Sequence, residues 1–226
     1  MQARHVAMQA ADMLPPMCPV TVLHADDHLI VTDKPAGLLA VPGRGEAGRD
    51  NLATRVQALY ADALVVHRLD MATSGLLLFA RGATVQRQLS QAFAQRRVHK
   101  LYVAIVEGHL LPEEGQINAP LAADWPQRPR QKVDLHHGKP SLTHWRVLAH
   151  GSANGSDHTR LCLEPVTGRS HQLRVHLQHI GHPVRGDALY APAPLLAPRL
   201  LLHAEQLGFA HPVTGQAMHF HSTAAF

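Results

Sequence analysis

The sequence predicts an α+β fold: a mixed, mostly antiparallel central sheet with flanking helices. Segments of strand character outnumber those of helical periodicity and do not alternate regularly with them. The run Leu76 to Ala80 is apolar on both faces, with Leu76 and Leu78 on one side and Leu77 and Phe79 on the other. That pattern marks a central strand covered from both sides. No internal repeat of roughly 20–50 residues is present.

The elements follow in order. Residues 1–17, rich in Met, Ala and Gln and ending in Pro15-Pro16, read as a flexible extension. Order is expected from Val20-Thr21-Val22-Leu23, which forms a hairpin with Leu29 to Thr32 around an Asp26-Asp27 turn. Turns are predicted at Lys34-Pro35-Ala36-Gly37 and Val41-Pro42-Gly43. Asn51 to Tyr60 reads as a short helix N-capped by Asp50. Residues 83–97 carry the clearest amphipathic pattern, with Val85, Leu89, Ala92 and Phe93 on one face and Arg96-Arg97 closing the helix against its dipole. In the next segment Leu101, Val103 and Ile105 share one strand face, and Lys100, Tyr102 and Ala104 the other. Strands are expected at Pro140 to His150 and Thr159 to Glu164, joined by a mobile loop, Gly151 to Ser156. A helix from Ser170 to Ile180 is capped by Ser170 and stopped by Gly181. Short strands at Leu200 to His203, Gln206 to Ala210 and Met218 to Phe220 close the chain. Residues 18–226 thus make one domain.

A length of 226 residues with 46% hydrophobic residues supports one large core. No stretch is long enough to span a membrane, and the first residues lack the order of a signal peptide. Cys18 and Cys162 stand far apart and outside any CxxC spacing, so a reducing cytoplasm fits and a disulfide framework is not expected. Lys and Arg exceed Asp and Glu by 21 to 17, for a net charge of +4. The excess is modest, but cations cluster at Arg96-Arg97-Val98-His99-Lys100 and at Arg128-Pro129-Arg130-Gln131-Lys132. Such clusters suit a phosphate backbone; for either one alone, a solvated face is an equal reading. Of the 19 histidines, His171, His176, His179 and His182 lie close in sequence, but one helix would scatter them around its axis. No metal site is expected. No GxxxxGK[ST] or GxGxxG motif points to a nucleotide cofactor.

Two stretches carry chemistry. The first is His67-Arg68-Leu69-Asp70-Met71-Ala72-Thr73-Ser74-Gly75, which feeds straight into the buried strand. It places the Asp70 carboxylate where a loop meets a rigid core. A lone aspartate there would read as a turn residue, but Arg68 and the Thr73-Ser74-Gly75 turn favour a functional role. The second is Val166-Thr167-Gly168-Arg169-Ser170-His171-Gln172-Leu173-Arg174-Val175-His176. Leu173, Leu177 and Ile180 would form a buried stripe, with His171, Arg174 and Gln178 on a polar face. A cation near a helix start opposes the dipole, so Arg174 calls for an anionic partner, for which Asp70 is the candidate.

These stretches resemble the active-site motifs of the RluA family of pseudouridine synthases. The family's G-R-[ST]-H-Q-[IL]-R motif matches at Gly168 to Arg174, and its K-x-Y-x-A strand at Lys100 to Ala104. Lys34 to Gly37, Val41 to Gly43 and Arg199 to Ala204 also match. Met71-Ala72 and Asp124 to Val133 are similar to the family's short branch. The resemblance covers about residues 20–226. It implies the pseudouridine synthase fold, with a bent sheet and an RNA-binding cleft, and no S4-like module ahead of Lys34. It also implies Asp70 as the essential carboxylate, Arg174 as its partner, and Tyr102 stacked on the target uracil. From its surroundings alone, Tyr102 reads rather as a half-buried strand residue. Arg68 would fill the gap in the RNA stack. His67, Lys34, Arg169 and His171 would contact RNA, and Arg96, Arg97, Arg128 and Arg130 would hold phosphates.

The expected function is isomerisation of uridine to pseudouridine by a cytoplasmic monomer with no cofactor. By resemblance its partners are a large-subunit ribosomal RNA hairpin and a tRNA anticodon stem-loop. Two alternatives stand beside it. A nucleoside or glycoside hydrolase would use Asp70 but needs a second carboxylate, absent from any comparable motif. An RNA-binding protein without catalysis would need the basic clusters but not Asp70.

Overall fold

The apolar run Leu76 to Ala80 is buried along its whole length, inside a strand that extends from Ser74 to Arg81. The computed structural model describes residues 19–153 and 155–226; the expected extension, 1–17, and Cys18 lie outside them. In chain order the elements are β1 (Thr21–Ala25), β2 (Leu29–Lys34), α1 (Leu52–Leu59), β3 (Ala63–Val65), β4 (Ser74–Arg81), α2 (Ala83–Ala94) and β5 (His99–Glu107). Then come β6 (Glu114–Asn118), β7 (Leu121–Ala123), β8 (Gln131–Val133), β9 (Leu142–Ala153), β10 (Ser156–Pro165), α3 (Gln172–His179), β11 (Leu202–Ala210) and β12 (Ala217–His221). Short strands with few helices make this the α+β class that the sequence predicts. The expected domain packs as two compact units: the chain up to His99 with Leu207–Ser222, and Lys100–Gln206 with Thr223–Phe226.

In the first unit β2 runs antiparallel between β1 and β4, with Val31 opposite Leu78, and β3 pairs with the far end of β4. The β1–β2 turn forms where expected, because the Asp26 carboxylate accepts the backbone N–H groups of His28 and Leu29 at 2.7 and 2.8 Å. Val85 and Leu89 of α2 share a core with Leu29, Val31, Leu76, Leu78, Val98, Leu207 and Phe209. In the second unit the order is β5-β10-β9-β6, all antiparallel, and β7 and β8 form a separate small hairpin.

Several boundaries differ from expectation for local physical reasons. Asn51, not Asp50, caps α1: its Oδ1 accepts the Thr54 N–H at 2.9 Å, while Asp50 pairs with Arg55. The α2 helix ends at Ala94. Arg96 takes φ 58, and the Arg97 N–H turns back to the Ala92 carbonyl, so both arginines lie beyond the last turn and do not close the dipole. On β5, Ala104 and Val106 are as buried as Val103, so the strand is covered on both faces past Tyr102. The β9–β10 pairing persists to Ala153 opposite Ser156, with Gly155 at φ 73 in the connection, so the expected loop is mostly ladder. The last helix starts at Gln172 behind a left-handed His171 rather than at Ser170, and Gln172 to Leu177 are all buried. Gly181, at φ 85, ends it as expected. The two strands predicted between Leu200 and Ala210 are one, because the polar Glu205-Gln206 pair does not interrupt β11. Among the described residues no helix is long and apolar enough to cross a membrane.

Candidate active site

Asp70 stands half-buried just ahead of β4, in a turn closed by the Thr73 N–H on its own carbonyl at 3.1 Å. The next residue anchors that turn. The Met71 carbonyl accepts from the Gly37 N–H at 2.8 Å and from Lys34 Nζ at 3.0 Å. Lys34 is wholly buried, and its Nζ also donates to the Pro35 and Leu38 carbonyls, both at 2.8 Å. Three carbonyls match the three N–H groups of an ammonium. Burial lowers the Lys34 pKa to about 7, against the opposing pull of the Asp70 and Asp33 carboxylates. Lys34 is therefore an internal brace of the Asp70 turn; a side chain with no exposed surface does not contact RNA.

The flanking residues divide by exposure. His67 Nε2 accepts the Leu78 N–H at 3.0 Å, and the ring stacks on Phe93 with centroids 4.4 Å apart. Both contacts tie this half-buried residue to β4 and α2. Arg68 is exposed, as a group that reaches for RNA has to be.

In the second unit Tyr102 is half-buried on β5, opposite Leu163 of β10. On α3, Arg174 forms a fork with Asp187: Nε to Oδ2 and Nη2 to Oδ1, both 2.8 Å, with the side chains 6% and 0% exposed. Asp187 is itself held, since its Oδ1 also accepts the N–H groups of Leu189 and Tyr190 at 3.0 and 3.2 Å. The guanidinium of Arg174 lies 5.1 Å from the centre of the Tyr190 ring. The Tyr190 hydroxyl is 2.7 Å from His171 Nδ1 and accepts the Gln131 N–H at 2.8 Å. Asp187 and Tyr190 are the residues that sequence reasoning missed. The one local signal is Gly186, at φ 73, where a Cβ would sit 1.8 Å from the Arg199 carbonyl oxygen.

The remaining candidates separate into braces and exposed cations. Arg169, Arg96, Arg97 and Arg128 are exposed. Arg130 is only partly so: it donates to Gln127 Oε1 at 2.7 Å and to the Leu189 carbonyl, which makes it an anchor of the β7–β8 hairpin more than a phosphate ligand. The motif glutamine, Gln172, ties Thr167, Arg169 and Leu142 together. His176 is fully buried between the Thr143 hydroxyl and the Ala119 carbonyl, each at 2.9 Å, and burial lowers its pKa. Among the described residues no group of three or more His, Cys, Asp or Glu side chains converges as a metal site would.

The model of the RNA pseudouridylate synthase family matches residues 28–179. The dual-specificity RNA pseudouridine synthase RluA of Escherichia coli (strain K12) is 48% identical over 215 residues, spanning 94% of this chain and 97% of that protein. Its Pasteurella multocida counterpart is 47% identical over the same shares. Among solved structures, human RNA pseudouridylate synthase domain containing 1 superposes with a TM-score of 0.77 at 27% identity, covering 93% of this chain and 86% of that one. The chain belongs to the RNA pseudouridylate synthase family, and it is an enzyme that isomerises uridine in RNA.

Proposed function

We propose that this pseudouridine synthase has dual specificity, for a large-subunit ribosomal RNA hairpin and for a tRNA anticodon stem-loop, with Asp70 as its catalytic carboxylate. It acts as a monomer in the cytoplasm, where both RNAs reside. The observation that carries the substrate reading is a likeness to enzymes named dual-specificity that runs the length of both chains. Met71-Ala72 and Asp124 to Val133 add to it.

The reaction breaks the N1–C1′ bond, turns the uracil, and joins C5 to C1′; the C5 proton is lost and N1 gains one. Atoms and oxidation state balance without a cofactor. The target nucleotide leaves the stack, which costs least in a loop. The braced turn supports a fixed position for the Asp70 carboxylate, and Arg174 is proposed to keep it ionised. The Tyr102 ring stacks on the uracil and assists loss of the C5 proton. Arg68 occupies the space the flipped base vacates. Arg169 and His171, at the start of α3, together with Arg96, Arg97 and Arg128, contact the RNA.

The test is pseudouridine mapping on an isolated anticodon stem-loop and an isolated ribosomal hairpin, with wild type and Asp70→Asn. Wild type should modify both. The near-isosteric variant should bind RNA but form no product, and product at near wild-type rate would remove Asp70 from the chemistry. Activity confined to intact ribosomal subunits would overturn the stem-loop reading, and release of free uracil would favour a hydrolase.

A further inference from the structure

The chain has two tryptophans. Trp145 is buried in the β9 strand, whereas Trp125 is 65% exposed at the tip of the β7–β8 hairpin. The exposed indole does not project at random. The Arg128 guanidinium carbon lies 3.6 Å from the ring centre, stacked against one face. With one face covered and most of the residue still exposed, the opposite face opens to solvent.

The turn that carries this pair is held from several directions. Trp125–Gln127 is a single tight helical turn with Pro126 at its start, and Pro129 follows Arg128, so the backbone there has little freedom to lose. The Gln127 N–H bonds the Asp124 carbonyl at 3.0 Å, and the Arg130 N–H bonds the Gln127 carbonyl at 3.0 Å. At its base the Tyr190 hydroxyl accepts the Gln131 N–H at 2.8 Å, and Arg130 donates to the Leu189 carbonyl. The hairpin is thereby fastened to the loop that also holds Asp187.

We propose that Trp125 and Arg128 form a base-stacking subsite for an unpaired nucleotide in the loop of the substrate RNA. The inference rests on the enzyme acting on stem-loop RNA. An aromatic face stacks on any base, and a neighbouring cation takes the adjacent phosphate, so the pair grips single-stranded RNA without reading its sequence. Arg128 also fixes the orientation of the indole before RNA arrives. A base-paired nucleotide cannot offer a face to Trp125, so the subsite discriminates loop from duplex.

The experiment measures dissociation constants in the Asp70→Asn background, so that binding is read without turnover. The ligands are a fluorescently labelled stem-loop and a fully paired duplex of the same length. Trp125→Ala should weaken stem-loop binding by about ten- to a hundred-fold. It should leave duplex binding unchanged, and Trp125→Phe, which keeps a ring, should restore most of the loss. In addition, stem-loop RNA should quench the indole emission of the Asp70→Asn protein but not that of its Trp125→Phe derivative. Stem-loop binding by Trp125→Ala within two-fold of its parent, or an equal loss on the duplex, would overturn the subsite. Should Trp125→Ala fail to fold by circular dichroism, the quenching comparison decides, and its absence overturns the proposal. The two readings fail separately: a subsite that behaves as expected in a protein forming no pseudouridine on the stem-loop would sink the proposed substrate alone.

Discussion

Asp187 grips Arg174 through two parallel hydrogen bonds of 2.8 Å in a setting from which solvent is nearly absent. Because Asp187 is itself fixed by the backbone N–H groups of Leu189 and Tyr190, the plane and direction of the guanidinium are set before any substrate binds. The motif arginine is thus part of a constellation whose second member lies in a loop that no motif marks.

Removing Asp187 should therefore do more than weaken an ion pair. Asp187→Ala removes the fork that holds a buried guanidinium, and unfolding in denaturant should show a loss of roughly 3–5 kcal/mol. Pseudouridine formation should fall with it. Replacing both partners by apolar residues, Arg174→Met with Asp187→Leu, should recover much of the stability and none of the activity. A stable, active Asp187→Ala protein would show that the fork is dispensable.

Lys34 predicts a pH effect on stability. Its pKa is about 7 when folded, against the ordinary 10.5 of an exposed lysine. Below about pH 7 both states bind the proton and stability does not change with pH through this group. Between about 7 and 10.5 the unfolded chain holds a proton that the folded one releases, so stability rises with pH. Relative to Lys34→Met, the wild type should gain up to about 1.4 kcal/mol per pH unit across that window. Urea midpoints of the two proteins from pH 6 to 10 check it, and parallel curves would contradict the buried environment.

Arg96 and Arg97 lie beyond α2 and are exposed. If they hold phosphates, each alanine substitution should reduce the slope of log affinity against log salt by about 0.7. Titrations of the stem-loop at several salt concentrations measure this directly, and an unchanged slope would assign both residues to a merely solvated surface.

What the sequence disclosed follows from how local its causes are. The doubly apolar run in β4, the Val85–Leu89 stripe of α2, the Asp26 turn and the Gly181 stop each depend on a few neighbouring residues, and each is where the pattern indicates. The strands β3, β7 and β8 escape notice because three residues cannot establish a period, and β6 because Ile117 is its one large apolar side chain. At the site, Asp70 and Arg174 stand out through their motifs. The burial of Lys34 does not, since a lysine beside a proline turn reads as surface until the Met71 carbonyl, 37 residues away, is seen to close over it. The Arg174–Asp187 fork has the same origin: 13 residues separate the partners, and only the folded loop brings them together.

The burial of Lys34 also gives the enzyme a built-in chemical reporter. Amine-acylating reagents must reach the Lys34 nitrogen in order to react. In the closed turn its three carbonyl partners and its lack of exposed surface deny them access. The rate at which Lys34 is acylated in the native protein therefore measures how often the Asp70 turn opens, and mass spectrometry can follow it at one residue.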